Sequence, residues 1–212
     1  HNVSSAASDV YKRQVKELLE NSIDAKANNI QLIVTRSGKQ EIKIIDDGIG
    51  MNQEDAEICF LKHSTSKIKN TSDITSITTM GFRGEALASI GSIAEVELKT
   101  KTKNQNTGTL IKIDNSEIKK NVDIAIQNGT SISVKNLFFN IPARKKFLKS
   151  DQIEFKHILD TFNQISISHP TISFKLIHNN IDIFDLKKSN LKQRIIDVFG
   201  KRYNKKSNKE AY

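Results

Sequence analysis

The segment QVKELLENSIDA, residues 14–25, has the spacing of a helix with two different faces. At about 100° per residue, its apolar side chains fall on one side of the helix: Val15, Leu18, Leu19 and Ile23. Glu17, Asn21 and Asp24 follow one another at i, i+4 and i+7 on the other side, which lines up a carboxylate, a carboxamide and a second carboxylate. Solvent-exposed helices show the same pattern, so this segment alone does not decide whether the polar face contacts solvent or a ligand.

The composition is that of a soluble globular protein with one sizeable core. The chain has 212 residues, of which 37% are hydrophobic, and its mean hydropathy is −0.44. Its apolar runs are shorter than the ~20 residues that span a bilayer, and its first residues do not have the pattern of a signal peptide. The single cysteine, Cys59, excludes an internal disulfide and suits a reducing compartment.

The balance of charges is basic, with 33 Lys and Arg against 24 Asp and Glu and a formal net charge of +9. Such a charge attracts polyanions and favours DNA as a partner. The lysines are scattered, however, and a chain rich in Lys, Asn and Ile gains basic residues without forming a patch. The charge therefore permits contact with nucleic acid and does not establish it.

Hydrophobic periodicity divides the chain into helices and hairpins. Helical spacing predicts helices over residues 13–24, 53–62, 84–90, 151–166 and 190–199, with Asn52 as the cap of the second. Alternation predicts strands over 30–35, 41–46, 93–99, 108–113 and 130–135, and a hairpin over 171–185. Residues 36–40 read as a turn and 63–80 as a long loop. This order favours an α+β fold, a two-layer sandwich with a mixed, largely antiparallel sheet, over a doubly wound parallel sheet.

Two glycine-containing segments have the features of ligand loops. DDGIGM, residues 46–51, ends a predicted strand, and its glycines let the backbone turn and approach a ligand closely. Asp46 or Asp47 would accept a hydrogen bond from an amino group, although an ordinary Asp-Gly turn gives the same pattern. GFRGEALASI, residues 81–90, places glycines before a helix whose free N–H groups would bind an anion. A glycine-bounded loop entering an amphipathic helix is the structural alternative.

Other familiar sites are absent from the sequence. Neither G-x-x-x-x-G-K-[ST] nor G-x-G-x-x-G occurs, and the histidines lack the spacing of metal ligands. Cys59 is expected in the core of the helix over 53–62. What remains is a polar helix face, an Asp-glycine strand end and the loop HSTSK, residues 63–67. Together they could hold a base, a phosphate chain with its metal, and an attacking water.

Five motifs in order carry a resemblance to a known family: KELLENSIDA, DDGIGM, HSTSKI, GFRGEALASI and GTSISVKNLFFNIPARKKFL. They resemble the ATPase domain of the MutL family of DNA mismatch repair proteins. That family shares a superfamily with gyrase, the ninety-kilodalton heat-shock chaperone and sensor histidine kinases. The resemblance covers residues 15–200. It implies a Bergerat-type ATP-binding fold, ATP and Mg²⁺ as cofactors, and a switch module that hydrolyses ATP and couples mismatch recognition to strand processing.

The resemblance also implies roles for particular residues. Glu17 would polarise the water that attacks the γ-phosphate, and Asn21 would coordinate Mg²⁺ through its side-chain oxygen. Asp46, rather than Asp47, would read adenine, and residues 68–80 would form a lid over ATP. The other ATP-binding residues implied are Asp24, Gly48, Gly50, Thr65, Ser66, Lys67, Gly81, Phe82, Arg83, Gly84, Glu85, Ala86, Leu87 and Thr130.

The partners implied are DNA, bound nonspecifically, the mismatch-recognition protein MutS, and a downstream nuclease or helicase. A homodimer of the full-length protein, in the bacterial cytoplasm near the nucleoid, is implied as well. A basic DNA-binding fragment without useful ATPase activity is the alternative. A kinase that passes phosphate to histidine is disfavoured, because the sequence contains no phosphoacceptor helix.

Two departures from the family pattern concern the ends of the sequence. Residues 1–14 do not match the apolar arm of the family, which helps to close the nucleotide-bound dimer. We therefore expect residues 1–14 to be an atypical segment, which a foreign origin would explain. We also expect these 212 residues to be monomeric without ATP. Residues 201–212 read as a polar linker toward a second domain, which in the family supplies a lysine to the γ-phosphate. Hydrolysis by these 212 residues is therefore expected to be weak.

Overall fold

One sheet and a layer of helices make up the part of the chain that the computed structural model describes. That part comprises residues 3–60, 85–141, 143, 146 and 148–207, with backbone alone for 3–10, 85, 86 and 201–207. The helices are α1 (Val3–Asp24), α2 (Gln53–Ile58), α3 (Glu85–Gly91), α4 (Asp151–Ser168) and α5 (Leu191–Ser207). The strands are β1 (Asn29–Thr35), β2 (Glu41–Asp46), β3 (Glu95–Lys101), β4 (Gly108–Asp114), β5 (Glu117–Ile124), β6 (Gly129–Lys135), β7 (Ser173–His178) and β8 (Ile181–Leu186).

The strands form an eight-stranded sheet in the order β5-β4-β3-β6-β2-β1-β7-β8. β1 and β7 run parallel, and the other neighbouring pairs are antiparallel. Along β1, β2 and β3 every second side chain is buried, so one face of the sheet lies against the helices. The predicted α+β fold with a mixed, largely antiparallel sheet is confirmed.

The core lies between this face and the helices. One row across five strands is entirely apolar, and its members are at most 7% exposed: Leu98, Ile132, Ile44, Leu32 and Leu176. Burying one such side chain stabilises the fold by roughly 1.5–3 kcal/mol. Because the row is continuous, it fixes which side chains of each strand face the helices.

Helix α1 begins at Val3, whereas the sequence predicts a start near residue 13. Part of this extension follows from Tyr11, which is fully buried and continues the apolar face one turn before Val15. Its ring meets Phe138 edge to face, with 6.4 Å between the ring centroids. This long-range contact gives no periodic signal in the sequence around it.

Strand β5 is absent from the sequence-based prediction. Nearly all of its residues are exposed, so the hydrophobic alternation that marks a half-buried strand is missing. The strand instead forms through its backbone, which pairs along β4. It shows that an edge strand can be set by its neighbour rather than by its own side chains.

Several predicted boundaries shift. The cap by Asn52 is confirmed, because its side-chain oxygen accepts a hydrogen bond from the Asp55 N–H at 2.8 Å. Helix α2 ends at Ile58, so Cys59 lies at its C-terminal end, partly buried, rather than within a helix over 53–62. Helix α5 continues to Ser207 instead of ending at 199. The loop predicted over 63–80 lies outside the described residues.

No helix in the described part of the chain is long and apolar enough to cross a membrane.

Candidate functional site

Helix α1 presents the predicted line of polar side chains. Glu17, Asn21 and Asp24 are each partly exposed. The opposite side of the helix is buried, with Val15, Leu18 and Leu19. Glu17 forms an ion pair with Arg13 one turn earlier, at 2.8 Å between Nε and Oε1. Since the Arg13 side chain is 69% exposed, this pair stabilises the helix by less than about 1 kcal/mol and binds Glu17 only loosely.

Asp46 is the anchored carboxylate of the site. It ends β2 and is 9% exposed. Its Oδ2 accepts a hydrogen bond from Ser22 Oγ at 2.8 Å, and its Oδ1 accepts one from the Gly48 N–H at 2.9 Å. Burial raises its pKa above the usual value, while the hydrogen bonds from Ser22, Gly48 and Thr130 lower it less strongly. Because Ser22 follows Asn21, this contact joins the polar line of α1 to the end of β2.

Asp47, the next residue, is tied into the backbone instead. Its Oδ1 accepts hydrogen bonds from the N–H groups of Asn28 and Asn29, both at 2.8 Å. Its Oδ2 accepts another from the Asn29 side chain at 2.7 Å. Burial raises the pKa of Asp47, but these hydrogen bonds together outweigh burial and the net pKa is lowered. Asp47 therefore fastens the loop after α1 to the end of β2.

A buried polar row crosses the sheet beside Asp46. Asp46, Thr130, Thr100 and Thr109 are direct neighbours on β2, β6, β3 and β4. Each is at most 9% exposed. Two positions further along the strands lies the apolar row of the core. We call these four residues the polar row. Its position, at the rim of an otherwise apolar layer, is where a ligand meets hydrogen-bonding groups without entering the core.

Two glycines allow backbone segments to approach closely around the polar row. Gly50 has a φ of +67°, and a Cβ there would lie 2.0 Å from the Lys101 carbonyl oxygen. Gly129 has a φ of +119°, and a Cβ there would lie 2.1 Å from the Asp46 carbonyl oxygen. Any other residue at either position would collide with backbone, so the glycines let three segments meet closely.

Two cavities open at the end of the sheet that carries the polar row. One, of about 550 Å³, touches Asp46, Gly129 and Thr130 but is lined largely by residues of the sheet face opposite the helices, such as Gln31, Ile45 and Ser131. The other, of about 660 Å³, is lined by Gly48 and Gly50 among others. Neither includes Glu17 or Asn21 in its lining. The described residues thus gather Asp46, Gly48, Gly50 and Thr130 at one end of the sheet, with α1 joined to them through Ser22.

Part of the predicted site is not described. Thr65, Ser66, Lys67, Gly81, Phe82, Arg83 and Gly84 lie outside the described residues. Glu85 and Ala86 begin helix α3, as backbone alone. The side chain of Leu87 is buried in the hydrophobic core. Only the backbone of Leu87 is therefore available to a ligand.

Sequence reasoning missed two residues that the structure adds to the site, Ser22 and Thr100. Ser22 lies between Asn21 and Asp24, and the sequence pattern does not distinguish it from these polar neighbours. Thr100 lies in a strand whose other buried residues are apolar, and a buried hydroxyl in such a strand is the signal that could have found it.

The described residues hold no group of three or more His, Cys, Asp or Glu side chains that could bind a metal ion. Asn21 offers a single neutral oxygen. Mg²⁺ takes six oxygen ligands and often keeps water and phosphate among them. This donor set fits a metal ion that arrives with a phosphate ligand, and does not fit a metal site made by protein alone.

Comparison with known proteins gives consistent matches. The family model described as histidine kinase-, DNA gyrase B-, and HSP90-like ATPase matches residues 9–146. The DNA mismatch repair protein MutL of Christiangramia forsetii is 52% identical over 204 residues, covering 95% of this chain and 33% of that protein. MutL of Bacteroides fragilis is 48% identical over 202 residues, covering 94% and 32%. The chain thus spans about a third of the length of these curated relatives.

Solved structures agree with the sequence matches. The ATPase domain of Aquifex aeolicus MutL complexed with ADP superposes with a TM-score of 0.71 at 28% identity, covering 89% of this chain and 68% of that one. The N-terminal domain of a DNA repair protein superposes with a TM-score of 0.75 at 30% identity, covering 93% and 60%. The chain therefore belongs to the family of histidine kinase-, DNA gyrase B-, and HSP90-like ATPases, on the branch of the MutL mismatch repair proteins.

Proposed function

We propose that this chain is the ATP-binding and ATP-hydrolysing switch module of a DNA mismatch repair protein. The observation that carries the proposal is the anchored Asp46: a buried carboxylate, fixed by Ser22 and Gly48, at the rim of the core in a chain of this ATPase family. A carboxylate accepts hydrogen bonds and does not donate them, so it suits the exocyclic amine of adenine.

The contacts support Asp46 over Asp47 as the adenine-reading residue. Both carboxylates accept hydrogen bonds at each of their oxygens, but those of Asp47 come from Asn28 and Asn29 and hold the loop after α1. Asp46 faces the helix layer, where it lies in register with Thr130. We assign Thr130 to the support of adenine, and Gly48 and Gly50 to the backbone that closes around it.

Hydrolysis would proceed by attack of a water oxygen on the γ-phosphorus, with cleavage of the bond to the bridging oxygen of ADP. We assign Glu17 as the base that orients this water and accepts its proton. Asn21 would hold Mg²⁺, which when bound neutralises charge on the phosphate oxygens. Asp24 would lie beside the nucleotide on the same face of α1. Thr65, Ser66 and Lys67, and the segment from Gly81 to Leu87, are proposed to lie against the phosphates.

A thermal melt with Mg²⁺ and a non-hydrolysable ATP analogue tests binding. A ligand at a hundredfold excess over its Kd stabilises the fold by about 2.7 kcal/mol, so the melting temperature should rise. Asn21→Ala should lose this magnesium-dependent shift. Absence of a shift in the unaltered chain would contradict the proposal.

Hydrolysis is tested with Glu17→Ala, which should keep the melting shift and lose phosphate release. Glu20→Ala is the matched control, since Glu20 is a partly exposed carboxylate on the same helix that pairs with Lys16. It should keep both properties. Loss of nucleotide binding in Glu17→Ala would count against Glu17 as the base.

We further propose that residues 15–200 form the main part of the ATPase domain, with residues 1–14 as an atypical segment whose Tyr11 packs into the same core, and 201–212 as a linker whose first part continues helix α5. Turnover by these 212 residues is proposed to be slow. In the whole protein, the proposed partners are DNA, a mismatch-recognition protein, a downstream nuclease or helicase, and a second copy, all in the cytoplasm. The alternative of a DNA-binding fragment without ATPase activity is not favoured, because the matched family is one of ATPases.

A further inference from the structure

Thr100 carries a hydroxyl of the polar row that the proposed nucleotide site does not yet use. Thr100 is 0% exposed, and its Oγ1 has three polar neighbours. The Met51 N–H donates to it at 2.9 Å. The Gly129 carbonyl oxygen lies 3.1 Å away, and Thr130 Oγ1 lies 3.1 Å away. This hydroxyl therefore joins the DDGIGM loop, the start of β6 and the proposed adenine-supporting residue.

The proton of Thr100 determines the direction of the whole cluster. A hydroxyl has one proton and two lone pairs. If Thr100 donates to Gly129, it accepts from Met51 and from Thr130, and all three contacts are hydrogen bonds. If Thr100 donates to Thr130 instead, the contact with Gly129 is lost. Buried polar groups favour the arrangement that satisfies more of them, so the first is favoured.

In the favoured arrangement the proton of Thr130 is committed to Thr100. The lone pairs of Thr130 Oγ1 are then what remains for a ligand. Asp46, directly beside Thr130 in the sheet, is likewise an acceptor. The floor of the site thus offers two neighbouring acceptors and no side-chain proton from either.

We propose that Thr100 is a positioning residue that sets base selectivity: by holding the Thr130 proton, it makes the site accept a purine with an amino group and reject a purine with a carbonyl group there. This inference rests on the proposed nucleotide function and deepens it. An amine, alone or with an ordered water, supplies hydrogens to both acceptors. A 6-oxo group would set lone pairs against lone pairs and leave buried groups unpaired.

The test compares the Kd values of ADP and IDP by titration calorimetry. Their bases differ at position 6, amino against oxo, and at N1, which is an acceptor in adenine and a donor in hypoxanthine; the N1 difference is the same in every variant, so the change in the ratio between variants is the readout. The unaltered chain should prefer ADP. Thr100→Val keeps the shape and removes the hydroxyl, so Thr130 is free to donate to an oxo group. The IDP-to-ADP ratio of Kd values should then fall by about fivefold or more, the equivalent of one ordinary hydrogen bond. Thr100→Ser should restore the ratio.

Two further variants separate positioning from structure. Thr109→Val makes the same change in the same row one strand further from Asp46, and should leave the ratio unchanged. In a Thr130→Val background, Thr100→Val should no longer alter the ratio, because the residue through which it acts is gone. If Thr100→Val does not fold, Thr100→Cys replaces it. A thiol is a weak hydrogen-bonding group, so this variant should also lower the IDP-to-ADP ratio of Kd values.

The outcomes are distinct. A Thr100→Val chain with reduced melting temperature and an unchanged IDP-to-ADP ratio would overturn the inference, because Thr100 would then be merely structural. A persisting effect in the Thr130→Val background would overturn it as well. Failure of the unaltered chain to bind ADP would instead overturn the proposed function, and this inference with it.

Discussion

Asp46 and Asp47 are adjacent residues whose pKa values move in opposite directions, and stability should reveal this. A raised folded-state pKa means that Asp46 favours folding below the unfolded-state pKa of about 3.9, and that this contribution is lost as the pH rises through the folded pKa. Asp47, with its lowered pKa, favours folding above about pH 3.9 and loses this contribution as the pH falls through the folded pKa. One residue opposes stability at neutral pH and the other supports it.

We therefore expect Asp46→Asn to leave the free energy of unfolding at pH 7 unchanged or slightly higher, and to lose the nucleotide-induced melting shift. Asp47→Asn should lower the free energy of unfolding by about 1 kcal/mol, through weakened hydrogen bonds, and keep the shift. Urea denaturation at pH 7, with melts in the presence of the ATP analogue, checks both. The reverse pattern would assign the base-reading role to Asp47.

Tyr11 is a second residue where one polar atom can be tested. Its Oη is buried and has no hydrogen-bond partner among the described residues. Tyr11→Phe should therefore keep the free energy of unfolding at pH 7 or raise it by up to about 1 kcal/mol. A loss of stability in urea denaturation would show that the hydroxyl has a partner.

The same variant should also differ at alkaline pH. Burial raises the pKa of Tyr11 well above about 10, with the carboxylates of Glu154 and Asp151 adding to the effect. With a raised folded pKa, the contribution of the phenol to stability is complete below pH 10 and is lost above it. The advantage of Tyr11→Phe should therefore grow when denaturation is repeated above about pH 10.

At the scale of the element, one buried arginine holds helix α5 to the fold. Arg194 is 0% exposed. Its Nη1 donates to the Ser166 carbonyl at 2.6 Å, and its Nη2 lies 2.8–3.0 Å from three further carbonyls, those of Pro170, Ile172 and Lys187. The fork of the guanidinium thus gathers the end of α4, the loop after it and the segment after β8.

We expect Arg194→Met to lower the free energy of unfolding by about 3 kcal/mol, because it removes four hydrogen-bonding contacts to carbonyls that are buried or partly buried. Arg194→Lys should recover only part of this loss, since an ammonium group lacks the planar fork. Lys192→Met, at an exposed position of the same helix, is the control and should change stability by less than about 0.5 kcal/mol. Equal effects of the Arg194 and Lys192 variants in urea denaturation would refute this anchoring role.

The elements that sequence analysis predicted well are those whose own side chains carry the signal. Strand β2 alternates because one of its faces is buried, and the middle of α1 shows its apolar stripe directly. The packing of α1 before residue 13 depends on Tyr11 meeting Phe138, and β5 depends on pairing with β4. Neither cause is local, so no window of sequence contains it.

For the whole molecule, the same distinction divides the candidate site. Separate motifs indicated Asp46 and Thr130. That the two residues are adjacent in the polar row follows from the register of β2, β6 and β3. Thr100 enters the site only through that register. The composition of a ligand site can thus be read along the chain, whereas the hydrogen bonds that orient it are set by how distant strands align.

The net charge of +9 also acts at the scale of the whole molecule, and its effect on DNA binding can be predicted. In the described part of the chain many lysines already pair with carboxylates, as Lys99 and Lys112 do with Glu97, and Lys175 with Asp182. Paired lysines are less available to phosphate. We therefore expect weak binding of duplex DNA without sequence preference, releasing few counterions.

A salt series by fluorescence anisotropy measures this directly. The logarithm of the association constant should fall with the logarithm of salt concentration at a slope of about −2 to −4, since each phosphate neutralised contributes about −0.9. A slope near −8, which would need almost every unbalanced charge to face DNA, would instead mean that the basic residues form one continuous surface. Such a slope, unaffected by the ATP analogue and joined to an absent melting shift, would restore the reading of a DNA-binding fragment.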